Sequence, residues 1–352
     1  MIKKKNIRAL SQADLVELMV SWNEKPFRAK QIHEWLWKKG KGVAHFSEMK
    51  NVPNQLLEKL DAHFDIYKLR VEDEQKSSDG TVKSAFRLHD GNVVEGVLIP
   101  SSKRTTACIS SQVGCSLSCA FCATGKLGRI RNLSADEIYD QVVVVAEQSE
   151  RTQHKPLSNI VYMGMGEPLL NYKETLRSIE MITSDEGLGM SPKRITLSTA
   201  GIAKMIRKLG DDRVRFNLAL SLHAANDEKR SKIMEINNDN SLAELSAALK
   251  YFHDLTGSRI TFEYILFKDF NDSLEDAAQL AEFSKVVPVK INLIEYNDVE
   301  GVPYTKADYE RTDAFSKYLE DRNMIVNIRR SRGKDIDAAC GQLANKNKAY
   351  KK

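Results

Sequence analysis

Cys115, Cys119 and Cys122 stand in the run Cys115-Ser-Leu-Ser-Cys119-Ala-Phe-Cys122. This CxxxCxxC spacing gathers three thiolates in one short loop, where they can hold three irons of a [4Fe-4S] cluster. A missing fourth ligand leaves one iron open to a small molecule. That points to chemistry at the iron, because a cluster used only to carry electrons usually has four protein ligands. Zinc, a disulfide and inert thiols compete for the same residues. Structural zinc asks for four closed ligands, and no second CxxC or nearby CxxH pair is present. A secreted disulfide framework suits a short chain, whereas this one has 352 residues and five cysteines, an odd number. The spacing favours the open cluster, with zinc and inert thiols behind it.

Other residues carry weaker signals. In the turn Met163-Gly164-Met165-Gly166-Glu167-Pro168, glycines permit close backbone approach, so peptide groups can face a ligand; an ordinary tight turn fits as well. Cys108 and Cys340 each read singly as buried, inert thiols. Cys340, however, sits beside Gly341 in a polar, basic segment, which suits a mobile thiol able to carry a group covalently. Glu95, on the apolar run Val93 to Ile99, reads as a solvent-facing or ion-paired acid before it reads as a catalyst. Ser198, Ser221 and the lone His223 read as capping or core residues.

The elements that must position these groups follow from periodicity. Between residues 11 and 63, Leu15, Leu18, Met19 and Trp22, then Phe27, Ile32, Trp35 and Leu36, recur at helical spacing. Residues 66 to 99 turn β-rich, with Asp79-Gly80 and Asp90-Gly91 as turn signals, and predict a small linking sheet. From about residue 104 strand and helix alternate, which predicts parallel strands with crossover helices. The expected strands are 105–110, 159–163, 194–198, 215–222, 259–267 and 289–295, and a capping box, Ser134 with Glu137, opens the first helix. Six βα units predict an α/β fold, a partial (β/α)6 barrel. Its active groups belong at the carboxyl ends of the strands, where the three cysteines, the 164–167 turn, Ser198 and His223 fall. The expected division is 1–65 helical accessory domain, 66–103 β linker with Glu95, 104–330 barrel and 331–352 basic tail with Cys340.

The net charge of +5 is modest, but residues 1–41 carry +6, residues 329–352 carry +6 and the stretch between carries −7. Basic ends that meet in space would suit a polyanion; solvated lysines such as Lys38, Lys39, Lys41, Lys346, Lys348, Lys351 and Lys352 are the plainer reading. No run approaches the roughly 18 apolar residues of a membrane span, and an oxygen-sensitive cluster with free thiols predicts the cytoplasm.

Taken together, the motifs Cys108-Ile-Ser-Ser-Gln-Val-Gly-Cys115, Cys115 through Gly125, Met163 through Pro168 and Asp337-Ala-Ala-Cys340-Gly resemble the bacterial RNA adenine-C2 methyltransferase family, RlmN, over nearly the whole chain. The resemblance implies a radical S-adenosylmethionine (SAM) enzyme with one [4Fe-4S] cluster on Cys115, Cys119 and Cys122 and two SAM molecules per turnover. It implies SAM contacts at Gly166, Glu167, Ser198, Ser221, Leu222, His223 and Asn297. Cys340 would be the S-methylcysteine carrier, Cys108 its resolving disulfide partner and Glu95 the proton acceptor. The implied partners are 23S rRNA, tRNA beside the anticodon and a flavodoxin-type electron donor, with no DNA and no membrane. The basic N-terminal domain and Arg329, Arg330 and Arg332 are expected to hold the RNA backbone. Where the family commonly has proline, this chain has Glu295 in Asn292-Leu-Ile-Glu295-Tyr-Asn297, which leaves the local loop shape open. Methylation at adenine C8 is the nearest alternative, with Pro168 favouring C2. A radical enzyme for protein or small molecules and a non-catalytic RNA-binding protein with a structural metal stand further off.

Overall fold

The computed structural model describes residues 4–38 and 40–344. Lys39 and the tail lysines Lys346, Lys348, Lys351 and Lys352 lie outside the described residues.

Ten strands form one sheet: β1 Arg70–Lys76, β2 Val82–Arg87, β3 Val93–Pro100, β4 Thr105–Cys108, β5 Asn159–Tyr162, β6 Ile195–Thr199, β7 Asn217–Ser221, β8 Ile260–Leu266, β9 Val289–Glu295 and β10 Val326–Arg329. Their order in the sheet is their order in the chain. Strands β1 to β4 pair antiparallel, and β4 to β10 pair parallel. Edges β1 and β10 remain unpaired with each other, so the barrel is partial.

Six βα units are present, crossed over by helices α4 Ala135–Gln153, α5 Tyr172–Thr183, α6 Ala203–Asp211, α7 Asp227–Ile233 with α8 Leu242–Thr256, α9 Leu274–Phe283 and α10 Tyr309–Glu320. The last unit runs into a seventh parallel strand, β10, which the hydrophobic pattern does not reveal because it is a four-residue, largely exposed edge strand. Nor do β1 to β3 make a sheet of their own: they extend the parallel one. Helix α4 starts at the expected box, with Ser134 N–H donating to the Glu137 carboxylate at 3.0 Å.

The amino-terminal helices α1 Gln12–Ser21, α2 Phe27–Trp37 and α3 Asn54–His63 bury Leu15, Met19, Ile32, Leu36, Leu56 and Leu60, while Phe27 faces outward. They are tied to the barrel by Arg8, which is fully buried, bonds both oxygens of Asp140 at 2.8 Å and lies 4.4 Å from the Trp37 ring centroid. A charge so engaged is structural, so Arg8 does not belong to the basic surface of this domain.

Candidate active site at the carboxyl ends of the strands

Chain leaving β4 turns through Gly114, at φ 74°, where a Cβ would fall 1.8 Å from the Gly128 carbonyl oxygen. Only glycine fits there, and the close approach draws the ends of the cysteine loop together. Ala120 N–H donates to Ile233 O at 2.9 Å, pinning the loop to α7. A short 3-10 turn, Ala123–Leu127, follows Cys122. Cys115, Cys119 and Cys122 line one cavity. Burial pushes the Cys115 thiol up to about 11 and the Cys119 thiol well above its ordinary value, each raised further by Cys122. Such thiols ionise when a metal replaces their protons. Among the described residues, no three His, Cys, Asp or Glu side chains converge on a point for a single ion. A cubane asks for something different, one soft thiolate at each of three irons. Three thiols edging one cavity, with Leu117 N–H donating to Cys115 Sγ at 3.4 Å, fit that demand.

The turn after β5 forms the facing wall. Gly166 has φ 95°, and a Cβ on it would lie 2.4 Å from Gln112 Cβ; one on Gly164 would lie 2.7 Å from Ile109 O. Glu167 is buried, accepting hydrogen bonds from Ala200 N–H at 2.8 Å and Leu169 N–H at 3.0 Å. Burial raises its carboxyl to about 6 against those bonds. Ser198 and Ser221, on β6 and β7, stand 3.3 Å apart through their hydroxyls and line the cavity, as does His223. Ile265 N–H donates to His223 Nδ1 at 3.1 Å, so the ring proton of the neutral imidazole sits on Nε2. Burial, with Arg230 assisting, drops the His223 pKa to about 3, and its ring meets Phe121 edge-on.

Two expected contact residues do not line this cavity. Leu222 is fully buried, and its carbonyl accepts from Arg230 Nε at 3.1 Å. Asn297 donates to the Cys340 carbonyl at 3.3 Å, anchoring the tail, while its buried Oδ1 has no partner among the described residues.

Cys340 lines the cavity of the cysteine loop and, on its other side, the cavity that holds Cys108; all five thiols are free. Glu95 is absent from both linings. It sits behind the tail, its Oε2 accepting from Ala344 N–H at 3.0 Å and its Oε1 3.8 Å from Lys83 Nζ. Arg329, expected on RNA, turns instead into the cavities and pairs with Glu263 at 3.0 Å. Arg330 and Arg332 line the rim of the Cys108 cavity and are exposed.

Sequence reasoning missed Glu263 and Arg230. Glu263 is a charge on an otherwise apolar strand, the same signal that marked Glu95. Arg230, fully buried, ties the loops after β6 and β7 together through Ala200 O, Ser221 O and Leu222 O; a basic residue on a charged seven-residue helix carries no such signal.

No described helix is long and apolar enough to cross a membrane. Residues 109–281 match the Radical SAM superfamily, whose chemistry rests on a [4Fe-4S] cluster and SAM, and residues 5–66 match the ribosomal RNA large subunit methyltransferase N-terminal domain. The chain is 54% identical over 345 residues to a probable dual-specificity RNA methyltransferase RlmN of Cytophaga hutchinsonii, covering 98% of this chain and 94% of that one. It is 53% identical to the corresponding protein of Flavobacterium johnsoniae, covering 98% of each. Its structure resembles the crystal structure of a radical SAM methyltransferase from Sphaerobacter thermophilus with a TM-score of 0.89 at 37% identity, over 96% of this chain and 99% of that one. On its sequence, its fold and the company of these relatives, the chain belongs to the RlmN family of radical SAM RNA methyltransferases.

Proposed function

We propose that this enzyme methylates carbon 2 of an adenine in the peptidyl-transferase region of 23S rRNA and of the adenine beside the anticodon in tRNA, using two SAM molecules per turnover. One observation carries the reading: Cys340 is shared by the cavity of the cysteine loop and the cavity of Cys108. A thiol so placed can take up a group on one side and release it through a second thiol on the other.

Carbon 2 lies between two ring nitrogens and is too electron-poor to attack the methyl group of SAM. Cys115, Cys119 and Cys122 would hold a [4Fe-4S] cluster, which would supply the electron for radical chemistry on SAM. Glu167, Ser198, Ser221 and His223 orient SAM from the cavity wall, and Gly166 keeps that wall thin. Leu222 supports the wall from behind, and Asn297 offers its unpartnered oxygen to a donor. Cys340 carries the methyl group, adds it to carbon 2 as a methylene and is transiently bonded to the RNA. Glu95 accepts the carbon 2 proton, which requires Leu343 and Ala344 to withdraw from in front of it. Cys108 then forms a disulfide with Cys340 and frees the base. The adenine reaches this depth only out of its stack. The exposed bases of the N-terminal domain, with Arg330 and Arg332, hold the backbone, and a flavodoxin-type protein supplies electrons.

Anaerobic turnover with methyl-deuterated SAM, a reductant and unmodified 23S rRNA fragment or tRNA, read by nucleoside mass spectrometry, tests this. Labelled 2-methyladenosine in both RNAs is the expected result. Labelled 8-methyladenosine would overturn the position of attack, and no methylated adenosine despite SAM cleavage would overturn the RNA substrate.

A further inference from the structure

Cys108 poses a problem of charge. The residue is 9% exposed and is walled by Val97, Ile99, Val161 and Met163, yet a thiol attacks another sulfur only as the thiolate. Among the described residues, no carboxylate or imidazole lines its cavity; the ionisable groups there are Cys340, Arg329, Arg330 and Arg332. Lys83 lies two strands away, level with Val97 and Cys108 in the sheet register, and is engaged with Glu95. Of the three arginines, Arg329 alone lines both cavities. Its 43% accessible side chain faces into that space, and a built support holds it. Glu263, Asn292 and Asn327 are level with one another on β8, β9 and β10. Asn327 donates to Asn292 Oδ1 at 3.3 Å, Asn292 donates to Glu263 Oε1 at 2.8 Å, and Arg329 donates to Glu263 Oε2 at 3.0 Å. This uses one of the guanidinium's five N–H donors.

We propose that Arg329 is a positioning residue for the thiol chemistry at Cys108, the fixed cation that stabilises its thiolate as it attacks Cys340. The inference rests on the function proposed above. In the step concerned, Cys108 S⁻ bonds to the Cys340 sulfur while the bond from that sulfur to the methylene on the base breaks. The electron pair stays on carbon, which takes a proton to become methyl. The two sulfurs are oxidised to a disulfide and the carbon is reduced, so no outside oxidant enters. Burial raises the Cys108 thiol to about 12 and Cys340 adds to that, with Arg329 opposing both.

Glu263 partly neutralises Arg329, so the two variants must act with opposite sign. In cluster-loaded enzyme kept anaerobic, iodoacetamide modification of Cys108 is followed by peptide mass spectrometry against pH. Arg329→Gln should slow modification about tenfold at fixed pH and move its profile to higher pH, a tenfold change for each unit of displaced pKa. Arg329→Lys should stay within about threefold of the parent, and Glu263→Gln should speed modification. A purely structural role would move both neutral variants the same way. Unchanged rates, or a faster Arg329→Gln, overturn the assignment. Should Arg329→Gln fail to fold, the sign of Glu263→Gln decides. In turnover with RNA, Arg329→Gln should lengthen the life of the covalent protein–RNA species. A parent and a Cys108→Ala enzyme that both form no such species would overturn the proposed function, while an unaltered lifetime in Arg329→Gln overturns only the role of Arg329.

Discussion

Lys83 and Glu95 form a pair that is 3% and 1% exposed, with 3.8 Å between Nζ and Oε1. Lys83→Met keeps the length of the side chain and removes its charge, leaving the Glu95 carboxylate buried without that cation. At an effective dielectric of about 20, unit charges at this separation attract by about 4 kcal/mol. Breaking a buried pair from one side costs about 3–5 kcal/mol, so the two routes agree. Glu95→Gln in the same background removes the other charge of the pair and should recover about 2 kcal/mol or more. Urea unfolding of the parent, both single variants and the double variant at neutral pH measures the coupling. Single effects that add to within about 0.5 kcal/mol would refute the pairing.

Gly166→Ala places a methyl group 2.4 Å from Gln112 Cβ at φ 95°. Overpacking of about 1–3 kcal/mol with backbone strain of about 1–2 kcal/mol should lower the thermal midpoint and abolish SAM binding by equilibrium dialysis; a parent-like midpoint would show that the turn yields. The segment before Cys340 hangs on two carboxylates. For Asp79, burial opposes ionisation, but hydrogen bonds from Thr81, Gly333 and Ser77 outweigh it and hold the group at about 2. For Glu295, burial is outweighed by Lys306, Lys334 and Ser331 N–H, again to about 2. Both folded values lie below the unfolded ones, so their support is whole above about 4.5 and is lost as pH falls through about 2. Hydrogen exchange should therefore find Gly333 N–H equally protected from neutral pH to about 4.5 and released by Asp79→Ala throughout; protection that decays in that window would contradict the depressed values.

What was legible in the sequence was local. Cys115, Cys119 and Cys122, the Gly164 to Glu167 turn and the Ser134 box each lie within a few residues, where spacing alone constrains geometry. Six of the parallel strands announced themselves as apolar runs between helices. Pairings made by sheet register were illegible: Glu263, Asn292 and Asn327 are 29 and 35 residues apart in sequence yet level across three strands. Arg329 reads as one of three surface arginines because nothing nearby in sequence shows that its ion-pair partner is Glu263, an acid two strands away on β8. Arg8 reads as one more charge of the basic amino-terminal stretch because Asp140 lies 132 residues on. Glu295, which departs from the family pattern, shows its use only in three dimensions, where it takes Lys306, Lys334 and Ser331.

Those tail contacts explain how an open sheet can hold a two-sided thiol. Beyond β10, at one edge of the sheet, the chain crosses to the turn joining β1 and β2 at the other. There Gly333 N–H meets Asp79 at 3.0 Å, and Ser77 donates to Asp335 at 2.6 Å. It then runs over the mouth: Ala123 N–H donates to Gly341 O at 2.8 Å and Thr124 donates to Leu343 O at 2.6 Å, while Ala344 reaches Glu95. The sheet's unpaired edges are thus laced by the segment that carries Cys340. These bonds come from the cysteine loop, the β1–β2 turn and β3, so the segment that carries Cys340 is held from three sides. In the proposed reaction, uncovering Glu95 therefore takes the release of Ala344, four residues beyond Cys340 on that same segment.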